Sequence, residues 1–356
     1  MSQLFTPVPV GRHTLPNRLV MAPMTRSRAD DAGVPDDLVA TYYAQRASAG
    51  LIITEGVFPT AMGKGYVRTP GIESDEQIAA WKKVTAAVHA KEGRIFMQVM
   101  HCGRISHPSL LPNHAQPVAP SAIKPAGQTW TGAGMQEFVT PRELTPEEIA
   151  GVINDYRLAT RRAIEAGFDG VELHAASGYL PEQFLSSGSN HRQDQYGNSV
   201  TNRARFVLEV LTAMVAEAGS DRVGIKISPE MHFNDSVDAN PQETYTHLVE
   251  QLRDLNLSYL HVALFGAKTD YHGLLRPRFN GAYLMGGGLD QKSAESALAD
   301  GRADATVFGS AFLANPDLPE RFRQGAALNT PDKNTFYSPG AQGYTDYPFL
   351  NASNAA

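Results

Sequence analysis

Val171-Glu-Leu-His-Ala-Ala-Ser-Gly-Tyr179 begins like a buried strand and ends like a reaction site. The apolar run from Phe168 to Leu173 predicts a strand that delivers His174, Ser177 and Tyr179 at its tip. An imidazole N–H can hold a carbonyl or nitro oxygen, and a tyrosine five residues on can deliver a proton. Upstream, Thr145-Pro-Glu-Glu148 spells a capping box with proline at the first helical position. Ile149, Val152, Tyr156, Ala159, Ala163 and Ala166 then recur at helical spacing until Gly167 stops the helix. The unit is helix, tight turn, buried strand and polar tip.

The chain repeats that unit in both directions. Short apolar strands are predicted at 18–23, 51–54, 94–100, 222–228, 259–263, 282–285 and 303–308, besides the one quoted. Helices fall between them: one capped by Asp36 and Asp37 and running through Ala49, then 75–91, one beginning at Asn202, 241–255 and 290–300. Eight such strands alternating with helices point to an α/β fold, a (β/α)8 TIM barrel, rather than a dinucleotide-binding open sheet. Residues 5–17 suit an N-terminal hairpin or lid. Residues 106–144, rich in proline, glycine and serine, suit a long loop excursion after the third strand. The aromatic and proline-bearing segment 336–350 reads as an ordered strap. The expectation is one domain over residues 1–356.

Composition narrows the class of protein. An apolar fraction of 42% is ample for one large core, and a net charge of −6 argues against a nucleic-acid partner. The single cysteine, Cys102, rules out an internal disulfide framework and suits a reducing compartment. No charged leader precedes an apolar core, and no apolar run approaches the ~20 residues needed to span a bilayer. A cytoplasmic protein with no membrane partner is expected. His101, Cys102 and His107 lack a fourth ligand at sensible spacing, so no metal is expected. Asp194 and Arg203 read as loop-ordering partners.

In a barrel of this kind the working residues stand on the loops after the strands. The strand ends present Thr25, Gly56, Gln98 with Met100, His174 to Tyr179, Lys226, Gly286 to Gly288, and Gly309-Ser310. Small residues after strands seven and eight form the cradle that such barrels use for a phosphate. No G-x-G-x-x-G follows a first strand, so a mononucleotide tethered by its phosphate fits better than a dinucleotide.

Several blocks, taken in order, resemble the old yellow enzymes. They are "MAPMTR" at 21–26, "YYAQRASAGLIITEG" at 42–56, "QVMHCGR" at 98–104, "HAASGYLPEQFL" at 174–185, "NHRQDQYGNSVTNRARF" at 190–206, "FLANPDLPERF" at 312–322 and "GYTDYP" at 343–348. The chain is similar nearly end to end to this family of FMN-dependent ene-reductases, in its bacterial pentaerythritol tetranitrate and morphinone reductase branch. The resemblance implies bound FMN, NADPH or NADH as co-substrate, and an electron-poor alkene as the small-molecule substrate, with a monomer or homodimer as the working form. It implies that Thr25 bonds flavin O4 and Gln98 the pyrimidine edge, while Pro23, Met24 and Gly56 border the ring and Lys226 stands by N1. Gly287, Gly288, Gly309 and Ser310 fall at the phosphate. His174, with Ser177, holds the substrate oxygen and Tyr179 protonates the α-carbon. Tyr66, Met100, Asn234 and Tyr337 line the substrate pocket.

The chemistry of those residue types agrees. Hydride addition to an enone builds negative charge on oxygen, which a preorganised N–H stabilises. A cation beside N1 balances an anionic reduced flavin. Four positions depart from the family pattern: Ser177 replaces a histidine or asparagine, Lys226 and Ser310 replace arginines, and Met100 replaces a tryptophan. Ser177 and Met100 reshape the substrate seat, which also fits a pathway-specific member doing desaturation or redox-neutral isomerisation. Lys226 and Ser310 weaken the cofactor seat, which fits a flavin-poor, non-catalytic barrel.

Overall fold

The computed structural model describes residues 2–351. Eight parallel strands close into a barrel: β1 (Leu19–Met21), β2 (Leu51–Val57), β3 (Ile95–Val99), β4 (Gly170–Ala175), β5 (Val223–Ile227), β6 (Tyr259–Ala263), β7 (Ala282–Gly286) and β8 (Ala305–Phe308). Each pairs with the next in sequence, and β8 closes on β1 through Thr306–Leu19, Val307–Val20 and Phe308–Met21. The expected (β/α)8 architecture is therefore present.

The outer ring is built from α1 (Asp37–Gln45), α2 (Asp75–His89), α3 (Pro146–Glu165), α4 (Val200–Ala218), α5 (Pro241–Leu252) and α6 (Gln291–Ala299). The capping box of α3 forms as read: Thr145 Oγ1 accepts from Glu148 N at 3.3 Å, and Glu148 accepts from Thr145 N at 2.9 Å. Its apolar stripe, including Ile149, Tyr156 and Ala163, is buried against the barrel. Gly167 takes φ +90°, where a Cβ would meet Thr85 Oγ1 at 2.8 Å, so the turn into β4 requires glycine.

Most element ends shift by one to three residues from the sequence reading, and three of the differences have a visible local cause. Helix α1 stops at Gln45 instead of Ala49 because the Arg46 side chain takes the Tyr42 carbonyl at 2.8 Å, the acceptor that its own helical N–H would have used. Its other nitrogens bond the carbonyls of Phe312 and Leu313. Strand β2 runs past Glu55-Gly56 to Val57 through a register shift between Ile53 and Gly56. Helix α4 begins at Val200, two residues early, with Ser199 as its cap.

The hairpin pairs Val8–Val10 with His13–Leu15. Val8, Val10 and Leu15 pack on Val20, Ile53, Phe96, Tyr259 and Leu284, so it floors the barrel and is not a lid. The excursion 106–144 holds only short pieces, including the hairpin of Gln128–Trp130 with Met135–Glu137. The strap is ordered because arginines hold its carbonyls. Arg28 donates to Thr335 O and Phe336 O at 2.8 Å and to Gln342 O at 3.1 Å, and Arg26 to Gly343 O at 2.8 Å. Asp194 and Arg203 do order the following loop: Arg192 grips Asp194, and Arg203 bonds Leu185 O at 2.8 Å.

Candidate active site

At the C-terminal end of the strands lies a cavity of about 420 Å³. Pro23, Met24 and Thr25 border one side, Lys226 and His261 the floor, Gly286 to Gly288 with Gly309 and Ser310 the far end, and Phe336 and Tyr337 the strap side. Nine positions singled out from the sequence thus share one space: Pro23, Met24, Thr25, Lys226, Gly287, Gly288, Gly309, Ser310 and Tyr337. Gln98, Gly56 and Met100 are not among its lining residues; Gly56 pairs with Gln98 across β2–β3. A Cβ on Gly56 would sit 2.4 Å from Met100 Cε, so the methionine fills the space over the glycine.

The tip of β4 carries the second group. His174 is buried, and its Nδ1 accepts the Ala176 N–H at 3.3 Å. Burial pushes the imidazole well below its ordinary range, and the Lys226 and His261 charges push the same way. The ring is neutral with its proton on Nε2, the nitrogen left free to donate. Tyr179 stands edge-on to His174 with centroids 4.8 Å apart, and its hydroxyl lies 2.9 Å from that of Tyr66. Burial, and then the Tyr66 hydroxyl, raise the Tyr179 phenol well above its ordinary value.

The turn between them is strained and tightly held. Ser177 has φ +59° and Gly178 φ +74°. Ser228 Oγ takes the Ser177 N–H at 2.8 Å, Asn234 Nδ2 donates to Ser177 O at 2.8 Å, and Glu182 takes the Gly178 N–H at 2.5 Å. The Ser177 hydroxyl turns toward Met231 Sδ at 3.8 Å. His174, Ser177, Tyr179, Tyr66 and Asn234 are therefore one connected cluster, with Met100 packed against its two tyrosines.

The cavity suits a flavin mononucleotide. Lys226 lines it with no hydrogen bond or close ion pair among the described residues. Burial pulls its ammonium below the ordinary lysine range while the Glu172 and Glu182 carboxylates favour its charge, so an anionic edge above it would find a cation whose hydrogen-bonding capacity is unspent. Thr25 makes no hydrogen bond among the described residues. Gly287 takes φ +122°, where a Cβ would stand 2.0 Å from Leu264 O, so only glycine leaves the phosphate end this shape. Ser310 stands exposed there without a cation. The two arginines nearest in sequence are engaged elsewhere: Arg302 pairs with Asp270 at 2.5 Å, and Arg321 with Asp317 at 2.7 Å. Neither fills the place of a phosphate-binding arginine.

Four residues are not singled out as site residues by the sequence, where Glu172 reads only as one carboxylate, with Glu230, that Lys226 could pair with; it bonds Gln98 and His261 instead. Glu172 and His261 are wholly enclosed in the barrel. Glu182 anchors Gly178 and accepts Tyr245 OH at 2.6 Å, and burial lifts its carboxyl to about 7. Glu55 accepts the Arg26 N–H at 3.1 Å beside Thr25, and burial lifts it also to about 7. Glu182 lay inside a quoted block, and its four-residue spacing from Gly178 was the available signal.

A closed parallel barrel whose mouth carries a lysine, a glycine-lined cavity end and, on the next strand, a histidine–tyrosine pair suits an oxidoreductase working through a bound flavin. The chain belongs to the NADH:flavin oxidoreductase / NADH oxidase family, whose model matches residues 3–329, and within it to the old yellow enzymes. FMN is its cofactor and NAD(P)H its reductant. It is 44% identical to 12-oxophytodienoate reductase 1 of Oryza sativa subsp. japonica over 98% of this chain and 93% of that one. It is 41% identical to 12-oxophytodienoate reductase 2 of Arabidopsis thaliana, over 98% and 96%. Among solved structures it superposes on morphinone reductase in complex with tetrahydroNAD, with a TM-score of 0.95 and 47% identity over 99% of each chain. The old yellow enzyme homologue from Zymomonas mobilis gives 0.95 and 39%, over 98% and 100%. No helix among the described residues is long and apolar enough to cross a membrane.

Proposed function

We propose that this enzyme reduces the electron-poor double bonds of α,β-unsaturated carbonyl or nitro compounds, with His174 seating the substrate oxygen and Tyr179 protonating the α-carbon. The observation that carries this is the free Nε2–H of His174, fixed by the Ala176 contact, edge-on to a buried phenol. Relatives named for 12-oxophytodienoate and morphinone support a carbonyl-bearing substrate.

Bound FMN supplies the hydride taken from NAD(P)H. The residues do the rest. His174 Nε2–H meets the oxygen on which charge builds, in a site largely shielded from water. Tyr179, less acidic than an ordinary phenol, gives its proton only to a strongly basic carbon and so spares the unreduced substrate. Tyr66 and Asn234 orient that hydroxyl, Met100 and Tyr337 bound the substrate, and Ser177 adds a second donor once its hydroxyl leaves Met231.

On the cofactor side Thr25 takes the ring O4, Gln98 the pyrimidine edge and Lys226 the N1 side. The backbone of Pro23, Met24 and Gly56 borders the ring, and Gly287, Gly288, Gly309 and Ser310 take the phosphate. The whole chain, 1–356, acts as one FMN-binding domain. The same reading makes it a cytoplasmic monomer or homodimer without a nucleic-acid or membrane partner, which the charge of −6 and the lone buried thiol support.

Anaerobic stopped-flow kinetics on Tyr179→Phe tests the reading. Flavin bleaching by NADH or NADPH should keep the wild-type rate, while reoxidation by 2-cyclohexenone slows by about 10²-fold or more. Equal slowing of both half-reactions would show that Tyr179 only packs the site.

A further inference from the structure

Glu172 stands inside the barrel on the same strand face as His174, one layer deeper. Its Oε1 accepts from Gln98 Nε2 at 2.7 Å, and its Oε2 accepts from His261 Nδ1 at 3.0 Å. Each bond settles a choice its partner otherwise has open. Gln98 must turn its amide nitrogen toward the carboxylate, so its carbonyl oxygen is left for whatever lies above. Burial, and then Lys226, push His261 below its ordinary range against the opposing pull of the Glu172 carboxylate, and the net shift favours the neutral ring. With its proton on Nδ1, its Nε2 offers a bare lone pair.

That lone pair faces the cofactor cavity. His261 lines the cavity floor, and a Cβ on Gly286 would stand 3.1 Å from Nε2, so the glycine keeps the nitrogen uncovered. Lys226 lies level with His261 across the β5–β6 pair, and with His174 across β4–β5. The polar floor therefore alternates donor and acceptor under one ligand.

We propose that Glu172 is a positioning residue for the flavin and His261 a cofactor-binding residue. The carboxylate presents Gln98 Oε1 to the N3–H of the pyrimidine ring and His261 Nε2 to a hydroxyl of the ribityl chain. This rests on the reading that places FMN over Gln98 and Lys226. Glu172 also stands as the counter-charge to Lys226, so its negative charge opposes the extra charge of reduced flavin.

Glu172→Gln keeps the shape and breaks the logic. A glutamine has one acceptor and one donor end, so it cannot accept from Gln98 and His261 together. Either the Gln98 amide inverts or His261 changes tautomer. FMN titrated into the apoprotein, followed by fluorescence, should bind about tenfold more weakly. The midpoint potential of the bound flavin should rise by about 30 mV, the two-electron equivalent of tenfold. His261→Asn keeps a donor for Glu172 and removes the Nε2 lone pair. It should weaken FMN similarly and leave the potential unchanged.

Nitrogen-15 shifts of His261 in the wild-type apoprotein should report the Nδ1–H tautomer, and the Nε2–H tautomer would overturn the proposal. So would wild-type affinity and potential in Glu172→Gln. If that variant fails to fold, unchanged affinity in His261→Asn overturns it alone. Wild-type protein that binds no FMN would instead refute the reading of the cavity.

Discussion

Replacing Arg28 by methionine should open the strap without unfolding the barrel. Arg28 is 5% exposed and donates to Thr335 O, Phe336 O, Gly340 O and Gln342 O, and to Arg26 O at 2.7 Å. Hydrogen bonds from a charged donor contribute ~1.5–3 kcal/mol each, but these are not additive, and water can reach the exposed strap carbonyls. Two such bonds lost without replacement put the cost at ~3–4 kcal/mol. Arg26 still holds Gly343 O, and Tyr42 still stacks on Tyr344 at 4.1 Å, so the loss falls mainly on residues 335–342. At 1.4 kcal/mol per decade, strap opening becomes roughly 10²- to 10³-fold more frequent. Hydrogen exchange of peptides over 330–347 reads this directly, and the β-strand peptides serve as the internal reference. Phe336 and Tyr337 line the cofactor cavity, so FMN should also dissociate faster. Unchanged strap exchange, or exchange that rises equally in the barrel, would refute the argument and make Arg28 a core residue only.

Two further outcomes follow from charges the sequence left open. Ser310→Arg should tighten FMN roughly tenfold to a hundredfold, ~1.5–3 kcal/mol for a charge-assisted contact, because among the described residues Lys226 is the one lysine or arginine that lines the cavity; unchanged affinity by fluorescence titration at low salt would show that another group already neutralises the phosphate. Glu182 has its folded pKa raised from 4.5 to about 7, so its contribution to stability is fully present below about 4.5 and is lost as pH rises through 7. Glu182→Gln should flatten the decline in unfolding free energy between pH 5 and 7.5, measured by urea titration, and a slope identical to wild type would place that titration on another group such as Glu55.

The barrel was legible because its signals are local. Strands buried on both faces read as short apolar runs, and the Thr145–Glu148 box and Gly167 mark helix ends through contacts within a few residues. The polar cluster at the tip of β4 was legible for the same reason: His174, Ser177 and Tyr179 interrupt an apolar run within six residues. What failed to show is whatever depends on partners far apart in sequence. Arg46, whose side chain ends α1 by taking the Tyr42 carbonyl, is anchored there by a carbonyl 266 residues away, and Arg28 holds a strap over 300 residues on. A carbonyl acceptor carries no residue identity, so no pattern announces it.

The floor of the cofactor seat is an intermediate case. Gln98, Glu172, Lys226 and His261 are polar side chains on the inward face of four consecutive strands, in "IFMQV", "GVELHA", "VGIKI" and "YLHVA". One polar residue in a buried strand is ambiguous, since a single satisfied side chain explains it. Four on adjacent strands, in two level pairs one layer apart, are not, because each unpartnered polar group enclosed there costs ~1–3 kcal/mol and so must bond its neighbours or a ligand. Once the register of β3 to β6 is known, the row predicts its own hydrogen bonds: two acceptor oxygens on Glu172 for two donors, and one cation left over. That remaining charge, Lys226, is the feature that calls for an anionic cofactor above it.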